Sequence, residues 1–391
     1  MKILYIVHTN AVGGSNKALF NILDYMKSRH DVRVVFPKAT NSLSVVQNYL
    51  EQNGIKYYNP CFYDALVYGT DKNIVRRFIR TIGRLYRHLK MRKKIKGIID
   101  DFMPDLVHTN NGIIDIALDY CIKKGIPHIW HLREYQDLDF NMSVIPSKKI
   151  WLSRIHKQGN YNIAITKGIY NYFNLRDCDI YIYDGVLDPE KTTSSKSKKS
   201  NYFLFVSGGV FTPGKGLLDA LQAFSKFSLR YDDYSLYIVG KTVDCPYKDE
   251  CKNFIIKNNL SNKIKFLGIR NDINALMTSS VATLVPSKFE GFGFITVEAM
   301  FNDCLVIGRD SAGIKEQFDN GLDATGEEIG MRFRTVDEMA NCMERAVIED
   351  TSYMRHRAKS VVTKLYTIEK SCTKIEQYYK NIIYGTKELS C

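Results

Sequence analysis

The chain has 391 residues, 45% of them apolar and 25% charged, with 55 Lys and Arg against 42 Asp and Glu for a formal charge of +13. Such a length predicts two domains rather than one core, and the lack of any run of 18 apolar residues excludes an ordinary membrane-spanning helix. Nine scattered cysteines fit no zinc spacing, and none of the eight histidines clusters with acidic or thiol partners, so reduced, mostly inert thiols and no metal site are expected. The basic excess points to an acidic partner: nucleic acid, an anionic membrane face or a phosphorylated substrate.

In chain order, MKILYIV reads as a first buried strand, because its single lysine and short apolar run lack the cleavage site of a secretory signal. Gly13 and Gly14 follow it, either as a plain tight turn or as a backbone opening toward a ligand. Residues 16–29 carry apolar side chains at helical spacing, and DVRVVFP is a second strand. Residues 74–96, IVRRFIRTIGRLYRHLKMRKKIK, place an apolar stripe on a helix bearing ten Lys or Arg between positions 76 and 96. Two readings stay open there: a core-facing stripe with a solvated charged face, or a helix lying on an anionic membrane surface. PDLVHTN, PHIWHL, NIAIT and DIYIYDGV supply further strands, and strands alternating with helices predict a parallel sheet covered on both faces. His131 ends the PHIWHL strand, where it is either a core histidine or one facing a ligand.

KTTSSKSKKS, residues 191–200, has no large apolar side chain and reads as a linker. The βα pattern then restarts with NYFLFVSGG, GLLDALQAFSKF, SLYIVG, CKNFIIKNN and KIKFLG. The expected division is a first domain over 1–190, a second over 201–365, and a helix over 366–391 returning to brace the first.

The most informative stretch is PSKFEGFGFITVEAM, which follows the apolar VATLV. A strand, a G-F-G turn and a helix starting near Phe294–Thr296 place this junction at the carboxyl edge of a sheet. The turn lets the backbone approach a ligand, and the helix's first N–H groups suit a diphosphate. Glu298, expected in the first turn of that helix, offers two acceptor oxygens to vicinal ribose hydroxyls, and Glu290 would face a sugar on the other side of the phosphates. Lys215, in TPGKGLLDA, stands at a helix start, which is unfavourable for a cation unless an anion compensates.

These residues resemble the signature of retaining glycosyltransferases of family 4, P-S-x-x-E-G-F-G-x-x-x-x-E-A-M, matched at Pro286, Ser287, Glu290, Gly291, Phe292, Gly293, Glu298, Ala299 and Met300. VGGSNKALFNIL, GIPHIWHLRE, GKGLLDALQAF and FLGIRNDINALM follow in the family's order, so the likeness spans nearly the whole chain. The resemblance implies an α/β chain with the GT-B fold, two Rossmann-like parallel-sheet domains facing a cleft. It assigns Glu290 to the donor sugar, Glu298 to the ribose and the amides of Phe294 and Ile295, beyond Gly293, to the diphosphate. It also places Gly13 and Gly14 by the donor phosphate and acceptor, Gly268, Ile269 and Arg270 by the base, His131 by the reacting sugar, and Lys215 on the leaving phosphates.

The chain departs from the family at Val210, where an arginine usually precedes the lysine by five positions, which leaves Lys215 with more of the load or calls on another cation such as Lys241. The implied activity is metal-independent transfer of a sugar, with retained configuration and no cofactor, from a UDP- or GDP-linked donor to a glycan or lipid-linked acceptor in cell-surface polysaccharide synthesis. The expected place is the cytoplasm, peripheral to the inner face of the membrane. The rivals are an epimerase or phosphorylase on the same fold, or a basic nucleic-acid-binding protein, although the chain carries no nucleic-acid module and no specific nucleic-acid partner is expected.

Overall fold

A computed structural model of the chain describes residues 1–10, 13–38, 44–60, 67–68, 74–140, 143–145, 147–188, 199–241 and 245–385. Most of the expected linker, 191–198, lies outside them. Internal contacts divide the chain into one unit of Met1–Gly185 with Ile368–Cys391 and a second of Val186–Thr367.

The first unit begins with β1 (Lys2–Ile6), α1 (Gly14–Met26), β2 (Asp31–Val35), α2 (Val45–Gln52), β3 (Lys56–Tyr58), β4 (Val67–Tyr68), α3 (Ile74–Phe102) and β5 (Leu106–Thr109). It continues through α4 (Leu118–Lys124), β6 (His128–Leu132), α5 (Asp137–Phe140), β7 (Ser143–Val144), α6 (Lys148–Ile155), β8 (Asn160–Ala164), α7 (Lys167–Tyr172) and β9 (Ile180–Tyr181). Seven strands form one parallel sheet in the order β3-β2-β1-β5-β6-β8-β9, and β4 pairs antiparallel with β7. α1 forms because Ala18, Leu19, Ile22, Leu23 and Met26 recur at helical spacing and bury together on the sheet.

The second unit comprises β10 (Tyr202–Val210), α8 (Leu217–Phe227), β11 (Ser235–Lys241), α9 (Pro246–Lys257), β12 (Ile264–Gly268), α10 (Ile273–Ser279) and β13 (Ala282–Val285). There follow α11 (Phe294–Phe301), β14 (Leu305–Arg309), α12 (Ala312–Thr325), β15 (Met331–Phe333), α13 (Val336–Ile348) and α14 (Ser352–Leu365). Its six strands are all parallel, in the order β12-β11-β10-β13-β14-β15. Two Rossmann-like parallel sheets are thus present, as expected from the strand and helix pattern.

The chain then re-enters the first unit as α15 (Ile368–Tyr384), whose Cys372, Ile375, Tyr378 and Tyr379 join the core beneath α1. Tyr378 donates to the carbonyl of Cys178 at 2.8 Å. Two expectations need correction. α9 starts five residues before CKNFIIKNN, because Pro246 takes the first helical position. Cys121, Cys245, Cys251, Cys304, Cys342 and Cys372 are free thiols, but Cys178 is disulfide-bonded.

The first unit also buries titratable rings. His108, His128 and His131 are wholly buried, and His8 is partly buried just past β1. His128 is a satisfied core residue, bonded to Thr109 Oγ1 at 2.9 Å and Asn160 Oδ1 at 2.7 Å. Burial, with Arg133 next, holds His108 and His131 well below the ordinary imidazole range, and pushes His8 down to about 4. His128 also falls to about 4, through burial. All four stay neutral when folded and bind protons when unfolded, so their contribution to stability is complete above about pH 6.5 and is lost as pH falls toward 4, by up to about 1.4 kcal/mol per pH unit for each ring. Calorimetric unfolding is therefore expected to show a midpoint that drops between pH 6.5 and 4.5, with proton uptake on unfolding approaching one per buried histidine.

Candidate functional site

Counted within the second unit, the strands run three-two-one-four-five-six across the sheet, so the order reverses between β10 and β13. Loops leaving the carboxyl ends of two such strands turn to opposite faces and open a crevice between them. The loop after β10 carries Lys215 at the end of a short 3-10 turn, Pro213–Lys215, and the loop after β13 carries Glu290. Their side chains meet across the reversal, with Lys215 Nζ 2.6 Å from Glu290 Oε1. The anion that compensates Lys215 at its helix start is thus a carboxylate of the protein. The backbones are joined as well, because Lys288 N–H donates to the carbonyl of Gly214 at 2.8 Å.

The loop from Pro286 to Gly293 is held from below by β14 and α12. Arg309 donates to the Pro286 carbonyl at 3.0 Å and pairs with Asp219. Ser311 Oγ reaches the Lys288 carbonyl at 2.9 Å, and Gly313 N–H reaches that of Glu290 at 2.9 Å. A Cβ on Gly313 would lie 2.7 Å from the carbonyl oxygens of both Gly291 and Phe292, so only glycine allows α12 to approach this closely. Buried Gln317 donates to the carbonyls of Phe292, at 2.7 Å, and Gly293.

At Gly293 the chain turns through φ +92, a left-handed conformation, and enters α11 with no side chain among the described residues capping the helix start. The first N–H groups of α11, on Phe294 and Ile295, have no acceptor within the helix and surround this turn. Thr296 Oγ1, in the same turn of helix, is buried without a hydrogen-bond partner among the described residues. Glu298 is half-buried and is the fifth residue of α11, which places it in the second turn rather than the first.

Gly268, Ile269 and Arg270 lie at the carboxyl end of β12, the edge strand, two strands from β10. Ile269 is 74% exposed, and Arg270 forms a two-pronged pair with Asp272 at 2.8 and 2.6 Å. Lys241 ends β11 in register with Val210 of β10 and is exposed, so a cation stands beside the position where the expected arginine is missing.

Gly13, Gly14 and His131 belong to the first unit. Gly13 is the N-terminal cap of α1 in an extended conformation, and Gly14 is its first residue. His131 sits in β6, with Nδ1 3.2 Å from His108 Nε2 and 3.4 Å from Arg133. A guanidinium can only donate, so Nδ1 is the acceptor and His108 Nε2 carries a proton toward it. His108 Nδ1 must then accept from Tyr379, 2.6 Å away on α15, whose oxygen accepts in turn from Tyr5. His131 is left with its proton on Nε2, a buried donor with no partner among the described residues. An orphan of that kind costs about 1–3 kcal/mol while it stays unmatched. Arg133 is fixed in turn by Asp184, with two contacts of 2.7 Å, and by Asn110 at 2.9 Å. Sequence reasoning missed this network, whose only local signal is the arginine beside the histidine. Among the described residues no group of three or more His, Cys, Asp or Glu could hold a metal ion.

Residues 188–359, which fall inside the second unit, match the family described as Glycosyl transferases group 1. A protein of Methanocaldococcus jannaschii named as an uncharacterized glycosyltransferase is 29% identical over 230 residues, covering 56% of this chain and 60% of that protein. The matched region thus spans less than two thirds of that relative. The crystal structure of a glycosyltransferase from Rickettsia africae has a TM-score of 0.76 at 19% identity, covering 98% of this chain and 99% of that one. Anabaena Alr3699/HepE in complex with UDP and glucose gives 0.73 at 19%, covering 96% and 98%. The fold is therefore GT-B, and the second unit is similar to the group 1 glycosyltransferases.

Proposed function

We propose that the protein is a retaining, metal-independent glycosyltransferase that moves a sugar from a UDP- or GDP-linked donor to a glycan or lipid-linked acceptor in cell-surface polysaccharide synthesis. The observation that carries this reading is the Lys215–Glu290 pair, held across the strand reversal beside the uncapped start of α11. A donor brings what each partner lacks: a diphosphate for the ammonium, and sugar hydroxyls for the carboxylate. Lys215 exchanges Glu290 for phosphate, and the α11 amides take the remaining negative charge.

As the bond from the anomeric carbon to the phosphate oxygen breaks, Lys215 stabilises the charge left on the diphosphate. The acceptor oxygen bonds to the same face of that carbon, and its proton passes to the departing phosphate, which retains the configuration. Glu290 holds the sugar, Glu298 the ribose, and the Gly268–Arg270 loop the base. Gly13 and Gly14 lie by the phosphates, and His131 offers its Nε2 proton to the reacting sugar. Lys241 supplies part of the charge missing at Val210. The complex of the Anabaena protein with UDP supports a uridine nucleotide as the first candidate.

The test is thermal shift across a panel of UDP- and GDP-sugars, because a ligand present at 100 times its Kd adds about 2.7 kcal/mol to the folded state. Product anomers are then read by NMR, and turnover in chelator is expected to match turnover without it. Lys215→Ala is expected to lower kcat by about 10²–10³, as loss of a transition-state donor does elsewhere. Glu290→Gln releases Lys215, so free nucleoside diphosphate should bind more tightly while turnover falls; calorimetry and initial rates measure the two effects. Glu298→Gln should raise KM for the donor with little change in kcat. Lys241→Met should weaken donor binding by about tenfold and flatten its dependence on salt, since one screened charge contact is lost.

A further inference from the structure

The first half of α3 is built the wrong way round for a helix packed on a core. In its second half Met91, Ile95, Ile99 and Phe102 are buried in the first unit. In the first half Val75, Phe78, Ile79, Ile82, Tyr86 and Leu89 are 52–67% exposed. At about 100° per residue the two stripes are centred about 150° apart, on nearly opposite sides of one helix. The exposed stripe is thus no frayed continuation of the buried one. Over the same half the less exposed positions are Thr81, Gly83, Arg84, Arg87 and His88, of which His88 is buried against Asp115 at 2.9 Å. Polar groups turn inward and large apolar groups turn outward.

We propose that this outward face lies on an anionic lipid bilayer, with the apolar side chains entering the boundary of the acyl chains and the adjoining lysines meeting lipid phosphates. Charge selects that occupant. Residues 74–96 hold ten Lys or Arg and no Asp or Glu, +10 of the chain's formal +13. A second copy docked through the same face would set the Lys93 and Lys96 ammonium groups of one chain against those of the other, which opposes self-association. Lys93 and Lys96 are exposed on the side of the apolar stripe, and Tyr86, Leu89, Lys90, Lys93 and Lys94 line a surface groove with apolar walls and ammonium groups. This is the chemistry of a phosphorylated lipid headgroup. Bilayer docking is independent of the sugar-transfer reading.

The full chain is sedimented with vesicles of phosphatidylcholine alone and with 30% phosphatidylglycerol, a composition chosen at roughly the anionic content at which a surface potential of tens of millivolts develops. Binding to the anionic vesicles only, falling as salt rises, is the expected result. The triple variant Phe78→Gln, Ile82→Gln, Tyr86→Gln should lose at least about tenfold in partitioning, since these rings and branches supply the apolar area, with its melting point and its response to nucleotide-sugars unchanged. In Phe78→Trp, tryptophan emission should shift to the blue when anionic vesicles are added. Equal binding by the triple variant, no blue shift, or no binding to either vesicle overturns the proposal. So does a vesicle-free dimer that the triple variant abolishes, because the face would then be an interface between copies. Nucleotide-sugar binding is measured on the same preparation without vesicles, so failure of one reading leaves the other standing.

Discussion

In a parallel sheet, connections on either side of a strand-order reversal leave toward opposite faces, and the strand ends between them stay uncovered. The second unit puts its opposite charges at that point, Lys215 from the β10 side and Glu290 from the β13 side, 75 residues apart in sequence and 2.6 Å apart in space. Their pairing neutralises two half-exposed groups that would otherwise repel or attract strangers at the mouth of the crevice. A pair 38% and 21% exposed is screened by water and contributes little to stability, and on the proposed reading its value lies in being exchangeable. Around it, the backbone is held far more firmly than the charges are. Gln317, Gly313, Arg309 and Ser311 each bind a carbonyl of the 286–293 loop. In the proposed exchange with a donor, a rigid frame around a labile contact would spare the loop from reorganising.

The first unit solves a different problem. Its polar groups are buried under α1 and α15, where a lone charge would be costly, so Arg133 is met by Asp184 and by Asn110. The same guanidinium directs the protonation of the rings. By donating to His131 it forces a single sequence of donors from Tyr5 through Tyr379 and His108, and the chain of hydrogen bonds stops at an N–H that has no partner among the described residues. Four aromatic side chains and an arginine therefore set one proton's position.

Much of this was legible in the sequence. From Ala282 to Met300 strand, turn and helix follow one another within nineteen positions, so local rules sufficed, and the alternation of apolar runs with amphipathic segments placed most strands of both sheets. Glu298 fell one turn deeper into α11 than expected, because the helix already begins at Phe294. The supports of the site were invisible for a different reason. Gln317 acts 24 residues after Gly293, and Tyr379 acts 271 residues after His108; no periodicity links positions so far apart. The stripe of α3 could be seen, but its direction could not. Helical spacing tells that apolar residues share a face, whereas only the packing of Met91 and Ile95 tells which way that face points.

The course of the chain carries one more implication. The second unit is a continuous segment, Val186–Thr367, whereas the first is split around it and completed by α15. A ribosome therefore releases the whole of the later unit before the earlier one has Ile375, Tyr378 and Tyr379 to close its core. The first unit waits, with the underside of α1 bare, until α15 has been made. A nonsense codon or protease cut just ahead of Ile368 spares the second unit and strands the first, so damage late in the chain strikes at the unit that was begun earliest.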